Sequence, residues 1–322
     1  MNSSQDTFDR ARDAREELGK IRIYKFAGKI YHDYLVGTKI RIKYRTICVI
    51  KRFGKENANK TILFYPDKPN YSQVLYKICN TLGCKMTSSL KAQPDLIVAF
   101  QDTTRRAHSS VLAEIAANNY VVNEGCDDIS KVKVEAVFRQ VFGYATFVDP
   151  ETHVGLCVMK SNDNAMHDGE VVECPTSATR HDVVYQKLIN NTAGDDDVLD
   201  IRVPVINGEL PFVYLKYRRM RYRFSNMNAR ATMASTDSVF TTDEITKIKQ
   251  FAKKLGLDFG ELDVLRDVDD GTIYIVDVNN TPCGPPNHLG KAESAHAIEL
   301  LSKAFDTAFL AKTLDLTRKD VR

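Results

Sequence analysis

Apolar residues recur along this chain in two rhythms. Ile62 to Tyr65 and Asp95 to Phe100 contain short unbroken apolar runs, as in strands buried on both faces. Between them Tyr71 to Leu82 repeats at helical spacing as far as Gly83, a residue suited to a left-handed helix end. A further helix is predicted from about Ser109 to Ala117. Such alternation predicts a small open α/β lobe with a parallel sheet. Next, Asp127-Asp128-Ile129-Ser130-Lys131 offers an Asp to cap a helix carrying Val134, Val137, Phe138 and Val141 and ending near Gly143. Strand-like runs then take over at 155–160, 169–173, 183–189, 199–205 and 212–224, and they read as a mostly antiparallel set. A helix from Thr242 to Leu255, with Asp243 and Glu244 in its first turn, leads to two strands around an acidic turn.

That hairpin runs from Gly260 to Asn279 and on to Pro282. Asp269-Asp270-Gly271 suits a three-residue loop closed by a left-handed Gly, which pairs Val268 with Thr272. Counting outward sets Asp263 opposite Asp277 and Glu261 opposite Asn279. Like charges directly opposite on a sheet repel, so a cation or a proton is expected between the two Asp residues. Carboxylate plus amide oxygen suits Mg²⁺ or Mn²⁺. The plainer reading is a solvated hairpin whose acids belong to turns.

Composition narrows the classes. The chain has 322 residues, 43% of them apolar and 27% charged, with a formal net charge of +3. These values fit a globular protein of two or three lobes and exclude a disordered polyelectrolyte or a highly basic chromatin-type protein. Apolar runs such as Leu96 to Phe100 fall far short of the roughly 20 residues that span a membrane, and the start (Asp6, Arg10, Arg12, Asp13, Arg15) lacks an apolar signal core, so a cytoplasmic protein is expected. Seven cysteines, an odd number without a C-x-x-C pair, read as reduced thiols that mostly fill the core, and the scattered histidines give no nitrogen-ligand metal spacing. Phosphate loops of the Gly-x-Gly-x-x-Gly and Walker types are absent.

Basic residues are concentrated locally. Lys20 to Lys60 carries twelve Lys/Arg against two acids, Asp33 and Glu56. Within it Ile40, Ile42, Tyr44 and Thr46 alternate with Lys39, Arg41, Lys43 and Arg45, which predicts a strand with one wet basic face. That face is either a solvated edge or a cradle for an anion. Downstream, Arg219, Arg221 and Arg223 share a face if the run to Phe224 is one strand, and three guanidinium forks there suit a nucleotide or substrate anion. Interleaved tyrosines make single-stranded nucleic acid a weaker alternative.

The order of these parts resembles the ATP-grasp superfamily, the carboxylate–amine ligases typified by the D-alanine–D-alanine, glutathione and ribosomal-protein glutamate ligases. The C-terminal match is an acid on one strand, a hairpin, then [DE]-x-N-x-x-P, here Asp263 followed by Asp277-Val278-Asn279-Asn280-Thr281-Pro282. The resemblance implies an α+β ATP-grasp fold, with two α+β subdomains clasping ATP behind a small parallel-sheet lobe. It divides the chain into a basic extension (1–60), the α/β lobe (61–122), a lid subdomain (123–190) and a catalytic subdomain (191–322). It implies that Asp263, Asp277 and Asn279 hold Mg²⁺ or Mn²⁺ on ATP phosphates, and that Lys131 and Lys160 are the nucleotide lysines. Gln186, Lys187, Leu188 and Ile189 resemble the adenine hinge, while Arg202 of a D-x-R strand and Arg223 with Asn226 of an R-x-x-N element are the catalytic residues. The loop after Lys160, Ser161 to His167, stands where the family has a glycine-rich clasp, and Lys187 stands where an acid is common. Asp195 to Asp197 are candidates for the ribose hydroxyls. The implied activity activates a substrate carboxylate as an acyl phosphate and joins it to an amine. A kinase for an anionic sugar or inositol, or an ATP-binding module without turnover, are the alternatives. Partners are a small anionic carboxylate and an amine, with no membrane; a homodimer is compatible with these residues.

Overall fold

The computed structural model describes residues 36–52, 60–177, 179–180, 182–225 and 227–311. Helix α1 (Gly37–Arg52), β1 (Thr61–Pro66), α2 (Val74–Leu82), β2 (Lys85–Thr87), β3 (Leu96–Phe100), α3 (Ser110–Asn118) and β4 (Val121–Val122) build the first lobe. Its sheet has the order β2-β1-β3-β4, and every pair is parallel. The continuous apolar runs are explained by cover on both sides: Ile62, Phe64 and Val98 face one core with Leu75 and Ile78 of α2, while Leu63, Ile97 and Ala99 face a second with Leu112 and Ala116 of α3. Gly83 ends α2 at φ 78°, its N–H donating to Asn80 and Cys79 carbonyls, a left-handed end that a Cβ would strain.

The basic stretch 39–46 is helix, not strand. Ile40, Tyr44 and Ile47 form one helical stripe against the first core, Cys48 on the next position is buried, and Ile42 lies 62% exposed. Alternation of Ile and Lys/Arg over eight residues satisfies both periods, and the apolar positions at 44, 47 and 48 decide for 3.6. The charged segment over the first twenty residues lies outside the described residues.

Helix α4 (Lys131–Phe142) opens the second part. Ser130 caps it rather than an Asp: Ser130 Oγ accepts from Lys133 N at 3.4 Å, and Asp128 Oδ1 accepts from Ser130 N at 2.8 Å, one step before the cap. Strands β5 (Gly155–Ser161), β6 (Glu170–Cys174) and β7 (Val183–Lys187) make an antiparallel sheet ordered β6-β5-β7. A five-stranded antiparallel sheet comes next, ordered β10-β9-β8-β11-β12, from β8 (Asp197–Ile206), β9 (Val213–Arg219), β10 (Arg230–Ala234), β11 (Phe259–Arg266) and β12 (Ile273–Asn279). Short α5 (Thr236–Val239) and α6 (Thr242–Leu255) precede β11, and α7 (Lys291–Phe305) returns to pack on the first lobe through Ala297, Ile298, Leu301 and Phe305. Among the described residues no helix is long and apolar enough to cross a membrane. Six cysteines are buried and Cys283 is exposed.

One face of the five-stranded sheet is apolar. Ile201, Val203, Val205, Val213, Leu262, Val264 and Ile275 meet Val134, Val137 and Phe138 of α4 and Ile248, Phe251, Ala252 and Leu255 of α6. Each fully buried Leu, Ile, Val or Phe contributes roughly 1.5–3 kcal/mol. The helices thus hold the sheet from behind and leave its other face for the site.

The hairpin differs from expectation in its turn. Asp267 N, not Val268, donates to Thr272 O at 2.9 Å, and Gly271 N reaches Asp267 O, so the loop is one residue longer. Val268 N turns away to Asn190 O at 2.8 Å. A β-bulge between Asp263 and Val264 on the ladder then restores the register: Asp263 pairs with Asp277 and Glu261 with Asn279, while Val264 pairs with Ile275. Val276 is the extra residue, and bulges commonly re-aim side chains beside functional clefts.

Candidate active site

Val158 and Lys160 of β5, Gln186 and Lys187 of β7, Asp200 and Arg202 of β8, Arg218 of β9, Asp263 and Leu265 of β11, and Val276 and Asp277 of β12 line one open cleft. The bulge explains why both Val276 and Asp277 face it. Val158, Ile189, Leu265 and Val276 supply apolar wall from both sheets, and most of the remaining lining is charged. Apolar walls with a few fixed polar groups are what a ring-bearing anion needs.

Part of the charged lining is held in ion pairs with buried neighbours. Arg202 donates from Nε and Nη2 to the two oxygens of Asp263, each at 3.0 Å, and Lys216 Nζ donates to Asp263 Oδ1 at 2.9 Å. Burial alone would raise the Asp263 pKa; the two cations outweigh it and hold this carboxyl well below the usual range. Lys216 is 1% exposed, and burial lowers its pKa. Arg218 bonds Asp200, and Arg223 Nη2 donates to Ile189 O and Asn191 Oδ1, both at 3.1 Å. Burial pushes the Lys160 ammonium down to about 8 against the pull of Asp277. The repulsion expected between Asp263 and Asp277 is therefore answered by side-chain cations, and it does not by itself call for a metal.

A divalent ion still fits the donor chemistry. Mg²⁺ takes one or two carboxylates and completes its shell with phosphates and water. Asp277 lines the cleft with one oxygen accepting from Val278 N at 3.1 Å, and Asp263 is a second carboxylate already shared with Arg202 and Lys216. Asn279 Oδ1 accepts from Thr281 N at 3.0 Å. Among the described residues no group of three or more His, Cys, Asp or Glu is arranged around a metal position, so an ion here would draw further ligands from its substrate.

Comparison with known proteins gives no matching family profile and no matching curated protein. Several solved structures are alike. The ATP-grasp ligase PsnB, complexed with a minimal precursor, Mg and ADP, is 15% identical over 77% of this chain and 98% of its own, with a TM-score of 0.49. Macrocyclase MdnC from Microcystis aeruginosa MRC, bound with precursor peptide MdnA, is 13% identical over 79% of this chain and 99% of its own, at 0.45. D-alanine–D-alanine ligase from Bacillus anthracis is 12% identical over 79% and 97%, at 0.47. The chain is similar to ATP-grasp ligases. Likeness of this degree concerns overall form and says nothing of substrate.

Of the residues singled out by the ATP-grasp resemblance, the cleft brings together Lys131, Lys160, Gln186, Lys187, Ile189, Arg202, Arg223, Asp263 and Asp277. Leu188 and Asn279 are not in its lining, and Asn226 lies outside the described residues. Two hinge groups are already engaged: Lys187 N donates to Thr146 O at 2.8 Å, and Ile189 O accepts from Arg223. Lys187 Nζ meets Asp267 at 2.8 Å and Tyr274 OH at 3.0 Å. Lys131 Nζ donates to Asp163 O at 2.7 Å in the loop after Lys160, whose Asn162 also accepts from the first N–H groups of α4. That loop closes over the cleft without glycines at its left-handed positions, Ala165 and His167, and meets Phe224 at Gly169, where a Cβ would stand 2.8 Å from the ring.

Asp196 and Asp197 turn to Arg219, at 3.6 and 3.3 Å. The shared arginine face is overturned. β9 ends at Arg219 and a 3₁₀ turn, Met220–Tyr222, breaks the strand period, so Arg221 covers the Tyr222 ring, Arg219 pairs outside, and only Arg223 enters the cleft. The opposite parity of β9, Lys216 and Arg218, carries the buried cations that sequence reasoning missed. Its signal was the neighbouring strand, where Asp200 and Arg202 alternate and sit opposite Lys216 and Tyr214.

Proposed function

We propose that the chain is an ATP- and Mg²⁺-dependent ligase of the ATP-grasp type, joining a carboxylate to an amine. The observation that carries this reading is one cleft in which Lys160, Arg202, Arg218 and Arg223 meet Asp263 and Asp277 beside apolar walls of Val158, Ile189, Leu265 and Val276. Cations in excess of free acids suit a triphosphate, the apolar walls suit a purine, and Asp277 with Asp263 would hold Mg²⁺, which supplies Lewis-acid stabilisation of phosphate oxygens when bound.

Phosphoryl transfer needs little covalent help, so positioning and charge carry it. Arg202, clamped along one edge by Asp263, presents its remaining N–H groups in a fixed orientation to a carboxylate or acyl phosphate. Lys160 faces the same space from the lid and neutralises phosphate charge. In the joining step the amine nitrogen bonds the acyl carbon and the carbon–oxygen bond to phosphate breaks. Inorganic phosphate leaves with that electron pair and takes the proton shed by nitrogen. The 161–169 loop, latched by Lys131 and by Arg105 to Asp163 at 3.0 Å, shields the acyl phosphate from water.

Titration calorimetry with Mg²⁺ and a non-hydrolysable ATP analogue tests the site. Asp277→Ala is expected to lose divalent-dependent binding while the fold persists, and an unchanged affinity removes the assignment. With γ-labelled ATP, free phosphate plus an amide supports the ligase, whereas a stable phosphorylated product replaces it with a kinase.

A further inference from the structure

Cys157 and Cys174 lie at the base of the hairpin that carries the lid loop. Cys157 stands near the start of β5 and Cys174 ends β6, with the 161–169 loop between the two strands. Their Sγ atoms are 3.0 Å apart. The register sets Gly155 opposite Cys174 and Cys157 opposite Val172, so the thiols are diagonal neighbours on one face of the sheet. By the period of two, that face is turned away from Val158 and Lys160, which line the cleft. Tyr185, Met159 and Val172 pack around the pair. The proposed ligation uses neither thiol.

Bonded sulfurs stand about 2.05 Å apart, so an approach of about 1 Å turns this contact into a disulfide. The fold also gives a reagent its way in. In the order β6-β5-β7, β6 is an edge strand, and Glu170, Val171 and Glu173 are exposed along it. A strand with so little buried apolar contact opens locally at low cost. Cys174, the last residue of β6, keeps 4% of its surface exposed and Cys157 keeps 0%. Burial pushes the Cys157 thiol up to about 12, which leaves Cys174 to react first and Cys157 to close the bond. That second step is intramolecular and short, so nearness offsets the small thiolate fraction of Cys157.

We propose that Cys157 and Cys174 are a redox modification site, oxidised by a low-molecular-weight disulfide to a staple across the base of the lid hairpin. The Cys174 thiolate bonds one sulfur of the reagent, whose own sulfur–sulfur bond breaks and releases a first thiolate. Cys157 then bonds the Cys174 sulfur and expels the second. The protein gives up two electrons and two protons, and the reagent becomes two thiols. The new bond encloses residues 158–173, and with them Val158, Lys160 and the whole lid loop. It removes chain entropy from every state in which the hairpin opens. This holds whether or not the chain is a ligase.

The test incubates full-length protein with oxidised glutathione at neutral pH, blocks the remaining thiols with iodoacetamide and maps the fragments by mass after digestion without reductant. Wild type is expected to yield the Cys157 and Cys174 fragments joined, over minutes to hours, with dithiothreitol restoring both thiols. In the joined form the β6 amides are expected to exchange hydrogen at least about tenfold more slowly than in the reduced form, because a short closed loop has fewer open states. Cys157→Ala is expected to stop at a glutathione adduct on Cys174, and Cys174→Ala to leave Cys157 unmodified. If the exposed Cys283 takes glutathione while the pair keeps both thiols, the proposal is overturned. It is overturned as well if the bond appears only in denatured protein, or if β6 exchanges at the same rate with the bond formed. The wild-type map and exchange rates decide the matter even where an alanine variant does not fold.

Discussion

The two faces of the five-stranded sheet are both buried, yet they are built on opposite terms. Behind it, Val203, Val205, Leu262 and Val264 meet α4 and α6, and each side chain is favourable wherever it finds apolar company. In front, Asp200, Arg202, Lys216, Arg218, Glu261 and Asp263 are favourable only in each other's presence, because an unpaired buried charge costs several kcal/mol. The rear face therefore supplies stability that tolerates substitution one residue at a time. The front face spends stability on a fixed arrangement of charge, which is what a site for an anion requires.

The sharpest way to break this comparison is Asp263→Ala. It strands Arg202 and Lys216, so urea denaturation is expected to show a loss of roughly 4 kcal/mol together with loss of nucleotide-analogue binding. Replacing Asp263, Arg202, Lys216 and Glu261 together with Leu, Met, Met and Met, so that no charge of the group is left unpaired, is expected to restore most of that stability and none of the binding. On the rear face Leu262→Ala, one residue away, is expected to cost roughly 3 kcal/mol through the cavity it leaves while analogue affinity stays unchanged. Equal loss of binding in both single variants would erase the distinction between the faces.

How far the sequence discloses this contrast depends on the same physics. Alternation marks both faces as faces, and the apolar one is identified as inward by its composition. A charged face has the same period whether it is solvated or buried around an anion. Period alone therefore favours Arg219, Arg221 and Arg223 over Lys216 and Arg218, and only a strand running to Phe224 would align those three. An assumed three-residue turn sets Asp263 opposite Asp277; the turn is longer, and the bulge at Val276 compensates for it. A bulge leaves no mark in the hydrophobic pattern, and neither does the coincidence that rescues the pairing. The basic segment 39–46 fits two periods over eight residues, and packing of Ile40, Tyr44 and Ile47 against the first core selects the helix. Parallel-sheet elements are legible because their burial is two-sided and simply apolar.

The rim, where the faces meet solvent, sharpens the comparison at lower energy. Arg266 stands at the end of β11 on the rear side and donates to both Glu244 oxygens at 2.7 and 3.0 Å, to Gly271 O at 2.7 Å and to Val239 O at 2.9 Å. Partial burial would raise the Glu244 pKa, but the hydrogen bonds from Arg266 and Thr241 outweigh it and leave it below the ordinary value. A carboxyl with a depressed folded pKa contributes stability above its unfolded pKa, and this is lost as pH falls through the folded one. Glu244→Gln is expected to cost about 2 kcal/mol at neutral pH and to flatten the acid limb of the stability profile below about pH 4.5, without touching nucleotide binding.

Thr241 tests the smallest increment. Its side chain accepts from Glu244 N at 3.3 Å while Glu244 Oε2 accepts from Thr241 N at 2.8 Å, a reciprocal cap that holds the start of α6 against the rear face. Thr241→Ala removes one half and leaves the Arg266 pair, so thermal or urea unfolding is expected to register about 1 kcal/mol, and Thr241→Gly less. Because α6 touches the cleft only through the sheet, neither variant should move analogue affinity. A cap variant that weakened binding as much as it weakened folding would mean that the front face is held in shape by the helices behind it, and not by its own ion pairs.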